Sequence, residues 1–100
     1  MSDMKKTRAE VLEYLKNNLD RFNREYGVDR IGVFGSVARD EATEESDVDL
    51  LVEMPHPTFR HYMHLKFEIE EALGVSVDLV TQGAVKEFLR STIEQEVIYA

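Results

Sequence analysis

The chain has 100 residues, of which 20 are acidic and 12 are basic, and the resulting net charge of −8 disfavours binding to duplex nucleic acid or to anionic membrane surfaces. It contains no cysteine, which excludes a disulfide scaffold and thiolate metal sites, and no apolar run reaches the roughly 18 residues that cross a bilayer. Its 43% of apolar residues is typical of a globular protein, so we expect one domain over residues 1–100, soluble and cytoplasmic.

The first half of the sequence predicts one helix followed by two strands. Apolar residues recur at steps of three and four over residues 3–26, which indicates an amphipathic helix, and Gly27 is placed to end it. The run "RIGVFG" at residues 30–35 is short, apolar and closed by glycine, and it predicts a buried strand. The run "DVDLLVEM" at residues 47–54 predicts a second strand, which the prolines after it terminate.

The second half predicts a helix, a strand and a last helix. Residues 58–73 repeat apolar side chains with a helical period, and Gly74 is placed where that helix should end. "VSVDLV" at residues 75–80 predicts the third strand, and the sequence from Gly83 through Ile98 again has an amphipathic helical pattern. This order of elements predicts the α/β (α+β) class, with a small mixed sheet of three or more strands flanked by helices.

Three aspartates lie in the predicted strands. Asp47 and Asp49 would share one face of their strand, about 6 to 7 Å apart, and Asp78 would lie on the less apolar face of the third strand. If these strands are neighbours, the three carboxylates converge, and such a cluster favours Mg²⁺, which binds a few carboxylates together with waters and substrate phosphates. The alternative is that Asp47 belongs to an acidic loop and Asp78 faces solvent, because a lone Asp-x-Asp often occurs by chance.

A polar turn follows the first predicted strand. Gly35 and Ser36 are placed to open a short helical turn whose backbone N–H groups and hydroxyl could hold a phosphate, although Ser36 could equally be a plain helix cap. The turn carries Arg39, and Ser46 stands directly before the Asp-x-Asp pair. A phosphate cradle beside a divalent metal is what phosphoryl or nucleotidyl transfer requires.

The segment "GSVARDEATEESDVDLLVEM" carries a resemblance to a known family. Gly35 and Ser36, a spacer of ten residues, and then Asp47 and Asp49 resemble the signature of the DNA polymerase β-like nucleotidyltransferase superfamily. "YMHLKFEIEEALGVSVDLVT" and "IEQEVIYA" are similar to its minimal nucleotidyltransferase branch, the antitoxin partners of HEPN-domain toxins. The resemblance covers most of the chain from Ile31 on and implies the polymerase β-like fold.

The resemblance also implies an activity and its cofactors. A protein of this branch would use ATP and two Mg²⁺ ions to transfer AMP onto a tyrosine of its HEPN partner and so silence the RNase activity of that toxin. Asp47 and Asp49 would bind the metals, and Asp78 would complete the triad and help activate the attacking hydroxyl.

The nucleotide-binding residues that the resemblance implies lie in the turn. Gly35 and Ser36 would hold the triphosphate, with Ser46 nearby. Arg39 matches the arginine of the branch's usual Ala-Arg-Gly and would support the phosphates. Asp40 stands where that glycine is usual, which adds a negative charge near the phosphates.

Other motifs lead to exclusions. Leu51 and Val52 occupy positions where an EF-hand needs an oxygen ligand and a glycine, and the sequence has neither a P-loop nor a GxGxxG turn. HEPN nucleases carry an arginine and a histidine with four to six residues between them, whereas Arg60 and His64 have only three residues between them here. Three histidines are predicted to lie on the surface or towards a partner rather than to bind metal, namely His56, His61 and His64.

Two alternatives to the active antitoxin remain open. The short chain and Asp40 are compatible with a catalytically weak or inactive module that inhibits its toxin by binding alone. A transferase for a small acceptor such as an aminoglycoside would need an acceptor pocket, which a chain of 100 residues could build only by dimerising.

Overall fold

The computed structural model describes residues 6–43, 46–85 and 87–100, without the side chains of residues 87 and 88. Its first helix, α1, spans Arg8–Tyr26 and ends at Gly27, as predicted. It begins later than predicted, because the side chain of Thr7 accepts the backbone N–H of Glu10 while the Glu10 carboxylate accepts the backbone N–H of Thr7, and this capping box starts the helix. Residues 3–5 of the predicted helix lie outside the described residues.

The remaining elements follow in an order close to the predicted one. They are strand β1 (Arg30–Phe34), the short helix α2 (Gly35–Ala38), strand β2 (Val48–Glu53), helix α3 (Phe59–Leu73), strand β3 (Val77–Thr81), a 3-10 turn (Gln82–Ala84), helix α4 (Glu87–Glu96) and strand β4 (Ile98–Tyr99). In the described part of the chain, no helix is both long enough and apolar enough to cross a bilayer.

The sheet has four strands in the order β3-β2-β1-β4. β1 pairs antiparallel with β2 and with β4, whereas β2 and β3 are parallel and are joined by the crossover helix α3. The sheet is therefore mixed and carries helices, which confirms the predicted α+β class.

The main core lies between one face of the sheet and the helices α1 and α3. Side chains that alternate along β2 are fully buried there, and they pack with apolar side chains of both helices, as Val48, Leu50, Val52, Leu15 and Ile69 show. Polar contacts join the two helices, since the Arg21 guanidinium pairs with Glu68 and the Tyr26 hydroxyl donates to the same carboxylate over 2.7 Å. The opposite face of β2 carries Asp49, and α2 and α4 lie on that side.

The C-terminal part of the prediction was wrong in one respect. The last helix does not continue through Ile98, because the chain leaves α4 after Glu96 and forms β4 on the edge of β1. Gly32 makes this pairing possible, since a Cβ on it would lie 2.8 Å from the carbonyl oxygen of Ile98 and 2.8 Å from Cγ2 of Val97. A two-residue strand that depends on such close approach has no periodicity of its own to detect.

Candidate functional site

The parallel pairing of β2 and β3 brings two of the predicted aspartates together. Asp49 and Asp78 are direct partners in the register, and residues at matching positions of adjacent strands point to the same face. Their neighbours Leu50 and Leu79 are buried in the core on the other face. The predicted convergence of these strands is therefore observed, and it places two carboxylates on the face opposite α1 and α3.

The electrostatic environment of Asp49 is unfavourable for its negative charge. Burial, followed by the negative charges of Asp78 and Asp47, raises the pKa of Asp49 to about 6, while the Arg39 guanidinium acts in the opposite direction. Asp47 is the residue directly before β2, and it is exposed. A half-buried carboxylate in a field of like charge is best stabilised by a cation.

Gly35 lies directly against this carboxylate. Its φ is +73°, and a Cβ built on it would lie 2.1 Å from Oδ2 of Asp49. Only a glycine can combine this left-handed backbone with so close an approach. The backbone of the turn after β1 is thereby held beside the aspartates, as the predicted phosphate cradle requires.

The other predicted nucleotide-binding residues surround this turn. Ser36 is half-buried in α2, and the Arg39 Nε–H donates to Oε1 of Glu41 over 2.8 Å. Ser46 lies in the loop before β2, where its hydroxyl oxygen accepts the backbone N–H of Thr43 over 2.9 Å. The structure thus brings Gly35 and Arg39 to the aspartates, and the roles of all these residues stay predictions.

The backbone conformation of Asp40 is one that favours the glycine that the resemblance predicts at this position. Its φ of +61° is the only positive φ of a non-glycine residue in the part of the chain that the structure describes. Glycine adopts this left-handed conformation without cost, and aspartate is among the few other residues that tolerate it. The substitution therefore keeps the turn and adds an exposed carboxylate to it.

Sequence analysis missed one residue of this site. Glu96, the last residue of α4, accepts the Gly35 backbone N–H at Oε2 over 3.3 Å and the Arg39 Nη1–H at Oε1 over 2.5 Å. One signal was available, because a carboxylate in the last turn of a helix opposes the helix dipole and needs a compensating partner. That partner lies about sixty residues earlier in the chain and could not be identified from the sequence.

The aspartate carboxylates gathered here suit Mg²⁺, because this ion prefers carboxylate oxygens and because the negative charge of Asp49 is destabilised by its neighbours. No three His, Cys, Asp or Glu side chains among the described residues are already arranged around a common metal position.

The predicted surface histidines stay apart from the aspartates. His56 and His64 are exposed, and the His61 ring packs edge-on against the Tyr26 ring of α1, with 6.1 Å between the two ring centroids.

Comparisons with known proteins identify the family of this chain. The family model described as "Nucleotidyltransferase domain" matches residues 15–100. The "Protein adenylyltransferase MntA" of Thermococcus cleftensis is 37% identical over 94 residues, which cover 93% of this chain and 95% of that protein. A solved structure described as "Structure of putative minimal nucleotidyltransferase" superposes with a TM-score of 0.72 at 38% identity and covers 87% of this chain and 93% of its own.

A more distant solved structure shares the fold alone. It is a complex described as "tri-AMPylated Shewanella oneidensis HEPN toxin in complex with MNT antitoxin", matched with a TM-score of 0.62 at 19% identity over 88% of this chain and 70% of the other. The family match covers far more than half of the chain, and similar proteins match it along nearly their whole length. The chain therefore belongs to the nucleotidyltransferase domain family, as a minimal nucleotidyltransferase enzyme.

Proposed function

We propose that this protein is a cytoplasmic antitoxin that transfers AMP from ATP to a tyrosine of a cognate HEPN-domain RNase toxin, in a Mg²⁺-dependent reaction. The observation that carries the proposal is the register that sets Asp49 beside Asp78, with the Gly35 backbone in contact with the first carboxylate. Two comparisons support it: the similar protein of Thermococcus cleftensis is named a protein adenylyltransferase, and the fold occurs in a complex with an AMPylated HEPN toxin.

The three aspartates would hold the metal. Asp49 is the central ligand in this proposal, since burial and the charges of Asp78 and Asp47 all raise its pKa and a bound cation would remove that penalty. Bound there, Mg²⁺ would neutralise the phosphates and stabilise the charge that develops during transfer.

The turn after β1 would hold the triphosphate. The Gly35 N–H and the Arg39 guanidinium point to a common anion, which in this structure is the Glu96 carboxylate. A phosphate oxygen can accept the same donors, and Arg39 keeps further N–H groups beyond those already bonded. The hydroxyls of Ser36 and Ser46 would add donors at the two ends of the loop.

Asp78 is placed to act on the acceptor. It is exposed on the face that carries Asp49, so a side chain of another protein can reach it. In the proposed step, the acceptor hydroxyl oxygen attacks the α-phosphorus while its proton passes to the Asp78 carboxylate. The bond from the α-phosphorus to the bridging oxygen breaks, and pyrophosphate leaves.

Intact mass of a co-expressed cognate HEPN protein tests this proposal. The wild-type chain should add one or more AMP units, and the Asp47→Ala/Asp49→Ala variant should add none. Asp29→Ala is a matched control, because Asp29 is an exposed aspartate at the far end of β1 and should leave transfer intact. An unchanged partner mass with wild type, ATP and Mg²⁺, under conditions where an active relative modifies its own partner, would refute the proposal.

A second candidate is inhibition by binding alone. Two observations favour it: no three carboxylates in the described ranges are prearranged for a metal, and Asp40 adds charge to the turn. In that case the toxin would gain no AMP and would be neutralised equally well by wild type and by Asp47→Ala/Asp49→Ala. The same co-expression, read out by growth and by mass, separates the two candidates.

A further inference from the structure

The Glu96 carboxylate lies in the position that the proposed function gives to a phosphate. Its Oε2 accepts the Gly35 backbone N–H over 3.3 Å, and its Oε1 accepts the Arg39 Nη1–H over 2.5 Å. The side chain is 23% exposed, so solvent weakens these contacts less than it would on an open surface. The two donors are those that the turn would otherwise offer to ATP.

The Glu96 carboxylate and a phosphate would compete for the backbone N–H of Gly35. A backbone amide has a single proton, so the Gly35 N–H cannot serve Glu96 and a phosphate oxygen with full strength at once. A carboxylate left beside the incoming phosphate would also repel it. Nucleotide binding at Gly35 therefore requires Glu96 to move away.

The fold keeps Glu96 close to the turn. α4 runs directly into β4, where the Ala100 N–H donates to the carbonyl oxygen of Ile31 over 2.9 Å and the backbone of Ile98 lies tightly against Gly32. The carboxylate thus has a high local concentration at the cradle. Its bond to Gly35 is long for an N–H···O hydrogen bond, so the carboxylate can be displaced by a more highly charged anion.

We infer that Glu96 is a built-in competitor for the nucleotide's phosphates, which occupies the Gly35 and Arg39 donors of the nucleotide-free protein and lowers its affinity for ATP. The inference rests on the proposed function, because it takes these donors as the triphosphate site. Glu96 lies outside the aspartate triad, and it would control how tightly the nucleotide binds.

Glu96→Gln tests the competition, with Glu94→Gln as its matched control. Both substitutions remove one negative charge from the same helix, but Glu94 lines a separate cavity with Arg90 and Tyr99. Two quantities are measured: the dissociation constant of Mg²⁺-AMP-PNP by calorimetry, and the amide chemical shift of Gly35 without nucleotide. Because glutamine can still accept the Gly35 N–H weakly, Glu96→Ala serves as a second variant that removes the acceptor.

We expect Glu96→Gln and Glu96→Ala to shift the Gly35 amide and to bind the nucleotide about three- to tenfold more tightly, which is the net contribution of one typical hydrogen bond lost by the competitor. Glu94→Gln should change neither quantity. An unchanged Gly35 shift, or an unchanged or weaker affinity in the Glu96 variants while wild type binds, overturns the inference and leaves the transferase standing. Absence of binding in wild type and in every variant refutes the proposed function, and the inference with it.

Discussion

The contact between Gly35 and Asp49 allows a sharp test of the site geometry. Gly35→Ala should cost about 1 to 2 kcal/mol because φ is +73°. It should cost a further 1 to 3 kcal/mol or so because the new Cβ would lie 2.1 Å from Oδ2 of Asp49, so that one of the two must shift. Gly27→Ala is the control, since its φ is +74° and nothing lies within 4 Å of the position that its new methyl group would take, so only the first cost applies.

Urea unfolding followed by far-UV circular dichroism measures these free energies. Gly35→Ala should lower the free energy of unfolding more than Gly27→Ala does, by the overlap cost alone. In an Asp49→Ala background Oδ2 and Cγ are gone and only the Cβ remains, 3.2 Å from the new methyl group, so most of the excess cost of Gly35→Ala should disappear there. Equal effects of the two single glycine substitutions, or an excess that persists undiminished without the Asp49 carboxylate, would contradict the close approach on which the site is built.

Three further predictions concern titration and stability. Burial, followed by the charge of Asp78, raises the pKa of Asp49 to about 6, so the free energy of unfolding of the metal-free protein should fall as the pH rises from about 4 to about 6. Asp49→Asn should abolish this fall and stabilise the protein at neutral pH by about 1 kcal/mol, allowing for solvent screening, and an unchanged pH profile in urea titrations with EDTA would contradict it. Glu68→Gln breaks the ion pair that joins α3 to α1 and should lower the free energy of unfolding in urea by about 1 to 2 kcal/mol. Its control is Glu71→Gln on the exposed face of α3, which should lower it by less than about 0.5 kcal/mol. Equal costs would show that the ion pair contributes nothing. Asp40→Gly should raise the thermal midpoint slightly, by up to about 1 kcal/mol in stability, because it relieves a φ of +61°; a lower midpoint would mean that the Asp40 side chain stabilises the turn.

The sequence by itself determined the features that depend on neighbours within a few residues. Helix α3 was predicted to within one residue, because Thr58 caps it and Gly74 adopts the left-handed conformation that ends it. The alternation along β2 likewise indicated that Asp49 would leave the core while Leu50 entered it, since side chains of a strand point alternately to its two faces. The Gly-Ser and Asp-x-Asp spacing then identified the family.

Only the tertiary structure decided which groups meet in the site. The pairing of Asp49 with Asp78 depends on the register of two strands, and the sequence could state it only as a condition. Strand β4 has two residues and no detectable period, and it exists because Gly32 lets the chain end approach β1. Glu96 reaches Gly35 across 61 positions of the chain, and a contact over that distance follows from the packing of the whole sheet rather than from any local pattern.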